Sequence, residues 1–124
     1  MAAILVQRHP DIFAAAGVHS GLAPGSAQDL VSAFGAMRGD AAPRAEALRM
    51  PAIIFHGSAD ATVAPVNAGR LAGRLEQTSA RSGAAAGRRF DVLEGRNAAG
   101  HAVELWRIEG AGHAWSGGDP RASY

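Results

Sequence analysis

Pro51-Ala52-Ile53-Ile54-Phe55-His56-Gly57-Ser58-Ala59-Asp60-Ala61-Thr62-Val63-Ala64-Pro65 decides how this chain folds. Its first part is a continuous apolar run, β-branched and aromatic, bounded by proline and glycine. That is the pattern of a strand over Ala52 to Gly57 buried on both faces, as strands of parallel sheets are. Pro65 suits the first turn of a following helix, in which Val66, Leu71, Leu75 and Thr78 mark one face. The stretch is therefore a strand, a loop and a helix, and the loop leaves the strand at its carboxyl end.

Outward from there the same alternation recurs. On the amino-terminal side, Met1 to Arg8 reads as a short helix without a capping residue, stopped before Pro10. Phe13 to His19 reads as a buried strand closed by Ser20-Gly21. Ser26 with Asp29 has capping-box spacing for a helix whose Leu30, Val31, Phe34 and Met37 form a packing face and whose stop is Gly39. Pro43 to Met50 reads as another short helix ended by Pro51. On the carboxyl-terminal side, Arg81 to Arg88 reads as a mobile loop. Phe90 to Leu93 and Val103 to Ile108 read as strands, with a polar turn near Arg96-Asn97 between them. Strands interleaved with helices imply an α/β fold with a mostly parallel sheet and flanking helices. In such sheets functional residues gather beyond the carboxyl ends of the strands.

Composition narrows the chemistry. The 124 residues contain no cysteine, and all 12 basic residues are arginine. Thiol nucleophiles, disulfides, iron–sulfur clusters and cysteine-bound zinc are excluded, as are Schiff-base and phosphate-loop lysines. Against 11 acidic residues the formal net charge is only +1. The arginines are dispersed and aromatics are few, which argues against a nucleic-acid partner. No apolar run is long enough to span a membrane, and Met1-Ala2-Ala3-Ile4-Leu5-Val6 has no basic start, so no signal peptide is read. No histidine pair has metal-ligand spacing, and neither a metal nor a cofactor is expected.

Two loops at strand ends hold what chemistry remains. One carries Asp60. The other is Gly110-Ala111-Gly112-His113-Ala114-Trp115-Ser116-Gly117-Gly118, where glycines let the backbone bend around His113. Those glycines are not a dinucleotide fingerprint, because Trp115 stands where the third glycine is required. An Asp near a His can accept its Nδ1–H and stabilise the imidazolium formed when Nε2 takes a proton. The order Asp then His is that of α/β-hydrolases, whose serine sits in Gly-x-Ser-x-Gly. No such pentapeptide occurs here; in Gly17-Val18-His19-Ser20-Gly21 the serine is one place late. On its own an Asp in such a loop is more often a turn former, and His113 a surface histidine. His56 reads as a hydrogen-bonded core histidine, His101 as a solvated one, and His19 and Ser20 as structural residues within reach of the cleft.

Three stretches carry a resemblance: Pro10-Asp11-Ile12-Phe13 leading to Gly17-Val18-His19-Ser20-Gly21-Leu22, then His56 to Val63, then Gly110 to Gly118. In that order they resemble the carboxyl-terminal half of poly(3-hydroxybutyrate) depolymerase-like esterases, within the α/β-hydrolase fold. The resemblance implies that Asp60 is the acid and His113 the general base of a serine triad; from their places in the chain, Trp115 and Ser116 line a cleft beside His113 and His19 approaches it, so these three are expected against the substrate. It implies an ester or polyester substrate, no cofactor, and an extracellular setting. It also implies that residues 1–124 are an incomplete α/β-hydrolase domain: the amino-terminal strands and nucleophile elbow belong before Met1, and a loop and closing helix after Ser123-Tyr124. The competing expectation is a non-catalytic fragment or pseudoenzyme of the same fold that needs a second chain or is inactive.

Overall fold

The computed structural model describes residues 1–116; Gly117 and Gly118 of the His113 loop, and Ser123-Tyr124, lie outside the described residues. Within them the order is α1 (Ala2–Arg8), β1 (Ala16–His19), α2 (Leu30–Arg38), β2 (Ala52–Gly57), α3 (Val66–Ala72), β3 (Glu76–Ala85), β4 (Arg88–Arg96) and β5 (Ala102–Ile108). The strands form one sheet in the order β1-β2-β5-β4-β3. β1, β2 and β5 run parallel, whereas β5, β4 and β3 pair antiparallel. The α/β class holds, and the mostly parallel sheet is corrected to a mixed one.

The correction comes from Arg81 to Arg88, which is no mobile loop but the end of a hairpin. Ala85 pairs with Arg88 across a two-residue turn, with Ala86 at φ 50° and Gly87 at φ 76°. Positive φ at both central residues matches the twist of the flanking strands.

The parallel half carries the core. Val18, Ile54 and Val103, on neighbouring strands, pack with Ala3 and Val6 of α1 and with Ala68 and Leu71 of α3. β2 matches its expected bounds. Strand β1 is shorter than expected and begins at Ala16, leaving Phe13 partly exposed.

The helices show three further departures. The capping box of α2 lies three residues later than Ser26–Asp29: Asp29 Oδ1 accepts the Ser32 amide at 2.7 Å and Ser32 Oγ accepts the Asp29 amide at 3.1 Å. Its expected packing face is open, with Leu30 72%, Val31 82% and Phe34 52% exposed, while Gly35 and Ala36 are buried instead. Residues 43–50 are not helical, because their amides bond to distant carbonyls, Glu46 to Pro24 (2.7 Å) and Leu48 to Leu71 (2.9 Å). This makes them an irregular strap tied to α3 that buries Leu48 (1% exposed) and Met50 while Pro43, Arg44, Glu46 and Arg49 stay exposed. Helix α3 stops at Gly73, φ 66°, so Leu75 and Thr78 lie beyond it.

The two ends of the sheet are fastened differently. At the amino ends of β2 and β5, the buried Asn97 gives its amide hydrogens to the carbonyls of Leu48 (3.0 Å) and Met50 (3.2 Å). Its oxygen accepts the amides of Ala99 and His101, both at 3.0 Å, shaping the β4–β5 turn. At the opposite ends lie the loops with Asp60 and His113. No helix among the described residues is long and apolar enough to cross a membrane.

Candidate active site

β2 ends at Gly57 and β5 at Ile108, side by side. The loops that leave them are stitched together by the Ser58 amide on the Ile108 carbonyl (2.9 Å), the Ala59 amide on the Ala111 carbonyl (3.0 Å) and the Gly110 amide on Ser58 Oγ (2.9 Å). Only glycine fits at 57: a Cβ there would overlap the Ala111 carbonyl. Parallel pairing of β2 with β5 therefore turns two loops far apart in sequence into one structural unit.

Asp60 shapes its own half of that unit. Its Oδ1 accepts the amides of Thr62 (3.0 Å) and Val63 (2.8 Å), the turn that short acidic side chains favour. The residue is 4% exposed. His113 reaches it from the other loop, with Nδ1 at 2.9 Å from Oδ2 and 3.2 Å from Oδ1. His56, buried below, donates from Nε2 to the Val63 carbonyl at 2.8 Å and stands 3.4 Å from Asp60 Oδ2. Burial opposes ionisation of Asp60. The Val63 amide, His113 and the nearby Ser20 hydroxyl outweigh it and hold the carboxyl below the ordinary carboxylate range.

An ionised carboxylate only accepts, so His113 directs its Nδ1 proton at Asp60 and keeps the lone pair on Nε2. The His113 side chain is 37% exposed, and among the described residues its hydrogen bonds are those to Asp60. Such an imidazole can take a proton from an approaching group and return it, with the buried carboxylate stabilising the cation between the two events.

The other three expected residues lie beside this pair, and two of them engage each other. His19, at the end of β1, has Nε2 2.9 Å from Ser116 Oγ and 3.2 Å from the Ser116 amide nitrogen. Trp115 lies 4.8 Å from the His19 ring and is 66% exposed. His56 and Ser20 are both buried, and Ser20 holds a left-handed backbone, φ 49°. Their closeness to Asp60 left no signal in sequence spacing beyond their place at strand ends. Among the described residues no group of three or more acidic or histidine side chains is arranged to hold a metal. A concavity of about 660 Å³ lined by Ile4, Gln7, Arg8, Glu46 and Arg49 lies beside α1 and includes none of these site residues.

A protein-family model described as esterase PHB depolymerase matches residues 1–99, and no curated protein matches the chain. The matched stretch contains His19, His56 and Asp60 and ends before His113. Because it runs from the first helix through the β4–β5 turn, the chain belongs to the PHB depolymerase family of esterases.

Proposed function

We propose that this chain supplies the acid and the base of a serine-type carboxylic ester hydrolase. The observation that carries the reading is the pairing of His113 Nδ1 with the buried Asp60 carboxylate, with Nε2 unpaired among the described residues and the side chain partly exposed. In the proposed reaction His113 Nε2 takes the proton of a serine hydroxyl as its oxygen attacks the ester carbonyl. The proton then goes to the leaving alcohol, and water, activated by the same imidazole, frees the acid from the acyl-enzyme. Asp60 orients the ring throughout. Trp115 offers an apolar wall, and family membership favours esters of hydroxyalkanoic acids, polymeric or oligomeric, met outside the cell.

The serine in this proposal comes from polypeptide other than these 124 residues, which then form part of an α/β-hydrolase domain. The partly open apolar side chains Ile4 and Leu5 of α1, with Ile12, suit contact with it. The test is to read the coding sequence ahead of Met1 for an in-frame Gly-x-Ser-x-Gly and to measure p-nitrophenyl ester turnover by this chain alone and joined to that segment. Activity only in the joined form, abolished by His113→Ala, supports the proposal. Full activity in the chain alone, or none in the joined form, defeats it.

The absence of Gly-x-Ser-x-Gly from the 124 residues favours a second reading, a non-catalytic member of the fold. A genuine translation start at Met1, with no activity in any combination, selects it.

A further inference from the structure

The proposed proton transfer by His113, oriented by Asp60, leaves His19 without a task, although it is hydrogen-bonded to the loop that carries His113. His19 is the Cα partner of Phe55 across the β1–β2 pairing, and their rings stack at 6.2 Å with planes 18° apart. The ring is thus seated on the sheet. Its Nε2 faces the Ser116 backbone N–H at 3.2 Å. An amide nitrogen has only a proton to give, so Nε2 must present its lone pair and the ring proton sits on Nδ1. The Ser116 hydroxyl, at 2.9 Å, can donate to the same nitrogen. Trp115 packs against the ring.

We propose that His19 is a positioning residue, a clamp on the sheet that holds residues 114–116 and so keeps the His113 imidazole on Asp60. The clamp rests on the reading of Asp60 and His113 as acid and base. It is complete only while Nε2 is unprotonated, since a proton there sets a donor against the Ser116 amide and leaves the hydroxyl as the one remaining acceptor. Burial first, then His56 on β2 and His113 on its loop, resist a proton on His19, while Asp60 in the loop after β2 favours one; the balance lies below the ordinary imidazole value. The loop therefore stays clamped at neutral pH and loosens in acid, as His19 takes up a proton.

The test uses His19→Phe, which keeps the stacked ring and removes the acceptor, and His19→Gln, which restores an oxygen near the place of Nε2. Both are compared with His113→Ala, on p-nitrophenyl butyrate, in the polypeptide that includes the serine. His19→Phe should lower kcat about tenfold with KM within about twofold, because a displaced base costs rate more than binding. His19→Gln should recover most of kcat. The acid limb of log kcat against pH should be steeper in the wild type than in His19→Gln, which lacks the imidazole proton. In the 124-residue chain, Ser116 amide exchange should quicken in His19→Phe and not in His19→Gln. Loss of activity in His113→Ala with unchanged kcat, slope and exchange in the His19 variants overturns the clamp alone. Unchanged activity in His113→Ala overturns the acid–base reading and the clamp with it. If His19→Phe does not fold, the slope in His19→Gln decides, and a limb as steep as the wild type's overturns the clamp.

Discussion

The carbonyl of Ala111 fills the space in which a side chain at Gly57 would begin. The end of β2 and the loop bearing His113 are in backbone contact there, so the distance from His113 to Asp60 is set three residues before Asp60. Gly57→Ala should push the loop away, costing about 1–3 kcal/mol of stability from overpacking. Turnover of p-nitrophenyl butyrate should fall by about a hundredfold or more. Urea unfolding and steady-state kinetics check the two effects separately, and a variant with normal kcat would show that the loop tolerates displacement.

Asp60→Asn keeps the size of the side chain and removes the charge that fixes the His113 tautomer. The expected outcome is a drop in kcat on the order of 10³-fold or more with little change in KM. The variant's circular dichroism should match that of the wild type. A rate within about threefold of wild type would remove Asp60 from the mechanism.

Asp60 also ties stability to pH, with a sign that follows from its lowered value. The unfolded carboxyl takes a proton at a higher pH than the folded one, so the unfolded state binds more protons in between and stability rises with pH there. The contribution is complete above the ordinary aspartate range and is lost as pH falls through the folded value. Urea midpoints of the wild type and Asp60→Asn, measured from neutrality down into acid, should converge as pH drops. A constant gap would contradict the linkage.

The open face of α2 makes a contrasting prediction. Leu30→Gln should change unfolding free energy by less than about 0.5 kcal/mol, as exposed sites do. Ile54→Ala, at a residue 0% exposed, should cost about 2–5 kcal/mol. A large loss for Leu30→Gln would mean that α2 is covered in solution.

The sequence was most readable where local and global demands agree. β2 is apolar and β-branched because both of its faces pack, so its bounds are visible in the residues themselves. Asp60 and His113 could be singled out because each follows a strand, but their pairing across 53 residues depends on β2 lying beside β5. Strand β3 was hidden, and β4 legible only in its middle, because β3 is largely exposed and rich in small and polar residues, and the turn between them uses Ala86-Gly87 instead of a stronger signal such as Asn-Gly. The strap before β2 has helix formers whose amides are claimed by Pro24 and Leu71, a tertiary bond that periodicity does not register. The apolar repeat of α2 says that one face is hydrophobic and nothing about what covers it. His19 and Ser116 were both suspected of touching substrate; that they touch each other across 97 residues follows only from the sheet.

Asn97 joins the strap to the β4–β5 turn through both halves of its amide. Hydrolysis of that amide to a carboxylate, the slow covalent ageing to which asparagine is subject, would set an anionic oxygen against the carbonyls of Leu48 and Met50. Two attractions would become two repulsions with almost no change in shape. Such a change would strike the strap and the β4–β5 turn, at the end of the sheet opposite Asp60, and leave the loops of the candidate site untouched. The burial that makes Asn97 indispensable is also what keeps water and backbone motion from spoiling it.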